Sequence, residues 1–340
     1  MKTTTKFYIG IDVSKPYFDL SLMTVINHQK QPVVTKRFYN TTTGIKALHK
    51  WLQEQGVSFD EHSLLVIENT GIYHRLIWRF CSDNNLPLHI GNAAHIKWSF
   101  GIARGKNDHI DSIRLCQYAL KHADELKATP VLNPVFIKLK DLMTARTKLL
   151  TQMNAIKTWL KELKLMNDKE AQQLMEKSHK AALEGLKKSI VLLQAAIKQI
   201  IEEDLSIKTS YDLLITVPGI GQWTAVYLIC CTNNFVCKIT GKQLACYAGV
   251  VPFEHTSGIS IKGRNRVHQM ANKELKKSLH LCALSAIKYY PEFRTYYDRK
   301  KKEGKHSMSI INAIRNKIVL RVAAVINNQL PYIDHTKEAA

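Results

Sequence analysis

The sequence lacks the features of several large protein classes. Its seven cysteines are odd in number and include no Cys-x-x-Cys pair, so neither a disulfide framework nor a paired-cysteine zinc knuckle is indicated. The apolar stretches are too short to cross a bilayer and residues 1–6 are polar, so neither a membrane span nor a secretion signal is expected. Internal repeats and low-complexity tracts are absent. These absences favour a cytoplasmic protein built from folded domains.

Acidic residues are scarce relative to basic ones. The 340 residues include 49 Lys and Arg against 28 Asp and Glu, a net charge of +21. The excess is concentrated between Lys262 and Arg321, where 16 Lys and Arg stand against four acids and tyrosines are interleaved. This imbalance predicts a polyanionic partner, and nucleic acid is the obvious one. The candidate nucleic-acid-binding residues are Lys262, Arg264, Arg266, Arg299, Lys300, Lys301 and Lys302.

The N-terminal part has no glycine-rich phosphate loop after its first predicted strand, which argues against a dinucleotide-binding fold. Its apolar patterns predict an α/β domain. A strand, a tight turn and a second strand, followed by helices and further strands, fit a ribonuclease-H-like sheet. The predicted strands are 6–13, 17–24, 63–68 and 87–91, with an extended stretch at 32–39 and helices at about 43–55 and after residues 72 and 109.

Four carboxylates are the main candidates for a catalytic site. Asp12 and Glu68 stand in apolar strand-like runs, where an acid is costly unless it is paired or metal-bound. Asp108 and Asp111 are three residues apart at the start of a predicted helix, so they share one helix face. An all-oxygen set suits Mg²⁺ or Mn²⁺, and such ions assist phosphodiester cleavage. The alternative for the Asp-x-x-Asp pair is a helix cap plus a solvated acid.

From about Pro134 to Ile207 the pattern becomes helical, with two apolar seams at heptad-like spacing. The seams predict an antiparallel coiled-coil arm or a dimer interface; the alternative is packing on the chain's own domains. The first seam comprises Leu139, Leu142, Leu149, Met153, Ile156, Leu160 and Leu163, and the second comprises Leu183, Leu186, Ile190, Leu193, Ile197, Ile200 and Leu205.

The last region carries two motifs that suit phosphate chemistry. Pro218-Gly219-Ile220-Gly221 between two predicted helices is typical of helix-hairpin-helix DNA binders, in which backbone N–H groups face a phosphate. Ser257 stands in a glycine-flanked loop followed by Lys262, Arg264 and Arg266. Cations near a flexible loop favour a serine nucleophile, although a Ser-Gly segment is also an ordinary turn.

Five short segments, taken in their order along the chain, are similar to those of a known protein family. They are Gly10-Ile11-Asp12-Val13-Ser14-Lys15, Glu68-Asn69-Thr70-Gly71-Ile72-Tyr73, Lys106-Asn107-Asp108-His109-Ile110-Asp111, Pro218-Gly219-Ile220-Gly221 and Ser257-Gly258-Ile259-Ser260. Together they resemble the insertion-sequence transposases with a RuvC-like DEDD domain and a serine-bearing C-terminal domain. The resemblance implies a recombinase that excises and inserts its element by strand exchange, guided by a structured bridge RNA. It also implies donor and target DNA, a homodimer or higher homo-oligomer, and a nucleoid-associated location.

The resemblance assigns the Mg²⁺ or Mn²⁺ ligands to Asp12, Glu68, Asp108 and Asp111, which are also expected to be catalytic. It places the nucleophile in the Ser257 to Ser260 segment; Ser257 is the first choice and Ser260 the alternative. The implied domains are a RuvC-like domain at 1–130, a coiled-coil dimerisation region at 131–208 and a mostly helical transposase domain at 209–328. Two other functions stay open: a RuvC-type metal-dependent junction resolvase or nuclease, and a non-catalytic nucleic-acid-binding protein.

Overall fold

A computed structural model describes residues 4–101, 107–131, 133–165, 168–257, 261–267 and 270–333. The chain divides into two compact units, Met1–Asn133 and Pro134–Ala340, which are described separately. Within the described residues, no helix has the length and apolar character of a membrane span.

The first unit is a mixed α/β structure in which the described strands form one sheet of order β3-β2-β1-β5-β6, with β4 also paired to β2. β1 runs antiparallel to β2 and parallel to β5, and β5 runs parallel to β6. This arrangement is consistent with the predicted ribonuclease-H-like fold. The strands are β1 Thr5–Val13, β2 Tyr17–Ile26, β3 Gln29–Lys30, β4 Val34–Tyr39, β5 Ser63–Glu68 and β6 Leu88–Gly91, and the helices are α1 Thr42–Glu54, α2 Arg75–Asp83, α3 Ala93–Ser99 and α4 Asp108–Lys121.

The two faces of the sheet are covered by different helices. Side chains alternate along each strand, so neighbouring residues of one strand pack into different cores. On β1, Ile9 and Ile11 belong to a core that includes residues of α1 and α2. Tyr8 belongs to the opposite core, together with Val66 of β5 and Cys116 of α4. β1 is therefore buried on both sides, as its continuous apolar sequence requires.

The second unit is mostly helical and contains one short β-hairpin among its described residues. Side-chain caps start several helices: Asp168 accepts a hydrogen bond from Ala171 N, and Thr240 forms a capping box with Gln243. The elements are α5 Pro134–Leu163, α6 Lys169–Glu203, α7 Leu205–Ile215, α8 Gln222–Thr232, α9 Gly241–Tyr247, β7 Phe253–Ser257, β8 Ile261–Arg266, α10 Lys273–Tyr289, α11 Pro291–Lys302 and α12 Ser307–Asn328.

Helices α5 and α6 are 30 and 35 residues long and pack against each other. Leu139, Ile190, Ile197 and Ile200 of the predicted seams are buried, whereas the other seam residues on these helices are partly exposed. The prediction that Leu205 ends the second seam was wrong, since it starts α7 and is 79% exposed. The cause is the cap at Asp204, whose side chain accepts a hydrogen bond from Ile207 N and begins a new helix there.

Candidate active site

Asp12 and Glu68 lie at the same edge of the sheet. The parallel pairing of β1 with β5 sets Ile11 opposite Ile67, and Asp12 and Glu68 are the next residues along the two strands. Strand alternation places Asp12 on the face of Tyr8 and places Glu68 on the face of Val66, which is the face that α4 covers. The sheet therefore brings two sequence-distant acids to one edge and one face.

Helix α4 approaches β1 closely because β1 has a glycine at the point of contact. A Cβ atom on Gly10 would lie 2.1 Å from Cys116 N and 2.3 Å from Ser112 O, so a larger residue would displace the helix backbone. The Ser21 and Ser112 hydroxyls are hydrogen-bonded at 2.8 Å, which fixes the helix on β2 as well. This contact positions the first turn of α4 beside Asp12.

Asp108 and Asp111 both lie in that first turn. The helix cap is Asn107, whose side chain accepts a hydrogen bond from His109 N at 3.0 Å, so neither aspartate is needed for capping. Arg114 Nη1 donates to Asp111 Oδ1 at 2.8 Å, and Tyr17 Oη lies 3.4 Å from Asp108 Oδ2. Each aspartate is thus oriented by a neighbouring donor.

The four acids share one electrostatic environment. Burial raises the pKa of Asp12 to about 6, and repulsion by Asp108, Asp111 and Glu68 adds to this shift. Like-charged carboxylates crowded at a partly buried position are the donor set that a hard divalent cation neutralises. In the described part of the chain, no three His, Cys, Asp or Glu side chains lie in a ready-made ligating arrangement. The residues fit a divalent cation by chemistry and placement, and binding would require side-chain rearrangement.

A further acid, Asp19, was missed by sequence reasoning. It lies directly opposite Asp12 in the β1–β2 register and is only 5% exposed. Arg37 of β4 binds it with two hydrogen bonds, from Nε at 2.9 Å and from Nη2 at 2.7 Å. A bidentate guanidinium neutralises this carboxylate, so Asp19 differs in character from Asp12, which has no ion pair with a described residue. An acid within the apolar strand 17–24 was the signal that could have identified it.

In the second unit, the backbone of Ser257 ends β7, where it pairs with Ile261 of β8. Gly258, Ile259 and Ser260 lie outside the described residues, as does Lys106 at the start of the segment that contains Asp108 and Asp111. Lys262, Arg264 and Arg266 are all on β8, so the hairpin carries the candidate serine on one strand and the three cations on the other.

Two further cations, Lys276 and Arg315, flank the segment that leads into this hairpin. Val250 O accepts a hydrogen bond from Asn312 Nδ2 of α12, and a Cβ on Gly249 would lie 3.7 Å from Lys276 Cδ of α10. Arg315 is 6% exposed, and within the described residues its Nε has no hydrogen-bond partner. Burial lowers the pKa of both side chains, and Arg315 lowers that of Lys276 further by repulsion. Two neighbouring cations that are partly buried and repel each other favour an anionic ligand.

The basic tract on α11 is only partly available to a ligand. Glu303 lies 2.6 Å from Lys300 Nζ and 3.9 Å from Arg299 Nε, so these two cations share one acid. Lys301 and Lys302 are exposed. Of the interleaved tyrosines, Tyr289 and Tyr290 are exposed, whereas the other two, at 296 and 297, pack against the helical core. The stacking surface is therefore smaller than the sequence suggested.

Comparison with known proteins extends this description. A DEDD domain model described as a transposase matches residues 9–165, and the model of the transposase IS116/IS110/IS902 family matches residues 211–298. The pilin gene-inverting protein of Moraxella lacunata is 30% identical over 334 residues, which are 96% of this chain and 98% of that protein. The chain belongs to the IS116/IS110/IS902 transposase family.

The pilin gene-inverting protein of Moraxella bovis matches to the same extent. An insertion element IS110 protein of 43.6 kDa from Streptomyces coelicolor is 34% identical over 107 residues, 31% of this chain and 26% of that protein. As a member of the IS116/IS110/IS902 family, the chain is an enzyme, a DNA transposase or recombinase. A DEDD transposase domain is in general dependent on a divalent metal, in agreement with the acid cluster around Asp12.

Proposed function

We propose that this transposase exchanges DNA strands through a covalent serine intermediate, with Asp12, Glu68, Asp108 and Asp111 holding Mg²⁺ or Mn²⁺. The observation that carries the proposal is the convergence of these four acids, with Asp12 and Glu68 at one edge of the sheet and Asp108 and Asp111 in the first turn of α4, where their repulsion adds to the raised pKa of Asp12. When bound, the metal would relieve the negative charge of a scissile phosphate. The packing of α4 against β1 at Gly10 keeps the carboxylates in place.

In the proposed reaction, Ser257 Oγ attacks the phosphorus, its proton departs, and the bond to one deoxyribose oxygen breaks as that oxygen takes up a proton. The phosphoserine diester conserves bond energy, so a second DNA strand can displace the serine without ATP. Lys276 and Arg315 support this proposal, because they supply positive charge beside the segment that enters the hairpin, and neither forms an ion pair with a described acid. Lys262, Arg264 and Arg266 are proposed to bind neighbouring phosphates.

Guidance by a structured RNA, assembly as a homodimer through α5 and α6, and nucleoid association complete the proposal. The net charge of +21 supports a large nucleic-acid partner. The partly exposed apolar seams support assembly, because a second helix pair would bury them. The coiled-coil geometry of α5 and α6 and DNA contact by the Pro218 to Gly221 turn, which connects α7 to α8, are parts of the same proposal.

DNA inversion is a second candidate reaction, favoured by one observation: the relatives that match along nearly the whole chain are named as pilin gene-inverting proteins. Inversion and excision use the same strand exchange and differ in how the two recombining sites on one DNA molecule are oriented. Sequencing the products formed on plasmids with directly and inversely oriented sites would separate them.

Trapping of a protein–DNA adduct tests the chemistry. The protein is incubated with Mg²⁺, RNA transcribed from its flanking non-coding DNA, and junction DNA nicked beside the scissile phosphate. A denaturant-stable adduct is expected from the unchanged protein, and Ser257→Ala should abolish both the adduct and recombination. Asp12→Asn should also abolish cleavage while leaving nucleic-acid affinity largely intact.

Ser260→Ala is the matched control, three residues from Ser257 in the same segment. Loss of the adduct in Ser260→Ala alone would move the nucleophile to Ser260. Cleavage without an adduct in either variant would favour metal-dependent hydrolysis of the junction-resolvase type. Cleavage that survives Asp12→Asn would refute the role of the four acids.

A further inference from the structure

A cavity in the second unit is lined by residues that take no part in the proposed serine and metal chemistry. It has a volume of about 910 Å³ and lies between the start of α5, the N-terminus of α8 and the N-terminal half of α10. This volume is in the range of sites that bind small organic groups. Its described walls combine aromatic rings with cations, a mixture suited to a nucleotide.

The main feature of the cavity is an arginine stacked on a tryptophan. The Arg146 guanidinium carbon is 3.8 Å from the centre of the Trp223 ring. Arg146 Nε is buried and has no hydrogen-bond partner within the described residues. Burial lowers the pKa of this arginine, because its charge is partly removed from water. A planar, under-satisfied cation on an aromatic platform is a common device for holding a phosphate next to a base.

The rest of the lining strengthens this reading. Lys140 and Lys148 add positive charge, and of the described lining residues Glu274 alone is acidic. The N-cap of α8 is Gly221, which offers no side chain to the first N–H groups of the helix. The cavity therefore carries net positive charge, and a helix N-terminus contributes to it.

The inner wall is held by a hydrogen-bonded trio. Tyr227 Oη donates to Asn272 Oδ1 at 3.0 Å, and Asn272 Nδ2 donates to Tyr247 Oη at 2.9 Å. Asn272 also caps α10 by accepting a hydrogen bond from Leu275 N at 3.0 Å. The two tyrosine rings are thus fixed before any ligand arrives, which reduces the entropy lost on binding.

We infer that this cavity binds one unstacked nucleotide of a single-stranded nucleic acid, with the phosphate on Arg146 and the base against the aromatic wall. A nucleic-acid duplex cannot bind in this way, because its bases are stacked on each other and cannot enter a concave site. The ligand chemistry is common to a looped-out RNA nucleotide and to a displaced DNA strand. The inference uses the enzyme's activity on DNA but depends on neither the DEDD site nor Ser257.

Fluorescence anisotropy of the full-length protein tests the inference, with labelled oligo(U) and oligo(dT) of about 12 nucleotides as probes. Trp223→Leu should weaken binding by about 2- to 30-fold, the range for loss of the cation–π contact that holds Arg146 in place. Arg146→Gln should weaken binding and lower the slope of log K against log salt by about 0.7, the value for one phosphate contact to a single strand. Trp223→Phe, which keeps a ring, should restore part of the affinity.

Trp159→Leu and Lys138→Gln are the matched controls, since both residues are exposed on α5 and neither lines the cavity. They should bind like the unchanged protein. An oligonucleotide carrying 5-iodouracil should crosslink to the peptide that contains Trp223 or Tyr227. A stronger effect on oligo(U) or on oligo(dT) would identify RNA or DNA as the source of the nucleotide.

Unchanged affinity in both Trp223→Leu and Arg146→Gln, with both proteins folded by circular dichroism, would overturn the inference. Crosslinks confined to other peptides would also overturn it. Asp12→Asn should bind these probes normally, so a failure of the cavity and a failure of the proposed metal site give different results.

Discussion

Replacing Asp12 by asparagine should make the metal-free protein more stable while it abolishes cleavage. In the folded chain the pKa of Asp12 is about 6, against 3.8 for an unperturbed aspartate. Ionisation at neutral pH therefore works against folding, by about 3 kcal/mol at most if the full shift applies. Because Asp12 keeps partial contact with water, we expect Asp12→Asn to gain about 1–2 kcal/mol at pH 7.5.

The pH dependence of this gain has a definite sign. A carboxyl whose folded pKa is raised is favoured in its protonated form, so its contribution becomes less unfavourable as the pH falls from about 7 to about 4. The difference between Asp12→Asn and the unchanged protein should therefore be full above about pH 7 and vanish below about pH 4. Saturating Mg²⁺ should make the unchanged protein more stable than Asp12→Asn, because a ligand at 100 times its Kd stabilises the protein that binds it by about 2.7 kcal/mol.

Hydrogen exchange of the β1 and β5 amides, measured by mass spectrometry, reports the stability of the first unit alone. Asp19→Asn is the matched control: it removes an acid directly opposite Asp12, but one that Arg37 binds twice, so it should destabilise the same strands. If Asp12→Asn exchanges faster than the unchanged protein at pH 7.5 without metal, the account of carboxylates crowded around Asp12 is refuted.

Further predictions concern the glycine contact, the basic tract and the buried arginine. Gly10→Ala should destabilise the first unit by about 1–3 kcal/mol in urea denaturation and reduce cleavage, since its Cβ would overlap α4; Gly185→Ala, in open space on α6, should be neutral or stabilising. Charge removal at Lys301 and Lys302 should lower the salt slope of duplex DNA binding by about 0.9 per lost phosphate contact, and an unchanged slope would show that both are merely solvated. Arg315→Met should not lower the melting temperature but should reduce adduct formation, and an unaffected adduct would exclude a phosphate contact.

The sequence contained enough information to place the sheet and the acid pair Asp12 and Glu68. Apolar runs of strand length are local signals, and an acid within them is conspicuous for its desolvation cost. Once the strand is known, the alternation of side chains along it fixes the face of the sheet on which each acid lies. The close approach of α4 at Gly10 was not predictable, because it depends on which helix packs over β1.

Other features depended on contacts between distant segments. The pairing of Asp19 with Arg37 requires the β2–β4 register, and the stack of Arg146 on Trp223 joins α5 to α8. Arg315 was one of 16 cations in its region, and its burial follows only from the packing of α12. Leu205 failed as a seam residue because a local cap at Asp204 overrode the heptad pattern.

Anomalous diffraction from crystals of the protein soaked in Mn²⁺ tests the central claim most directly. We expect an anomalous peak among the carboxylates of Asp12, Glu68, Asp108 and Asp111, and its loss in Asp12→Asn crystals grown and soaked in the same way. Absence of a peak at this position, at a Mn²⁺ concentration that supports strand cleavage in solution, would contradict the account.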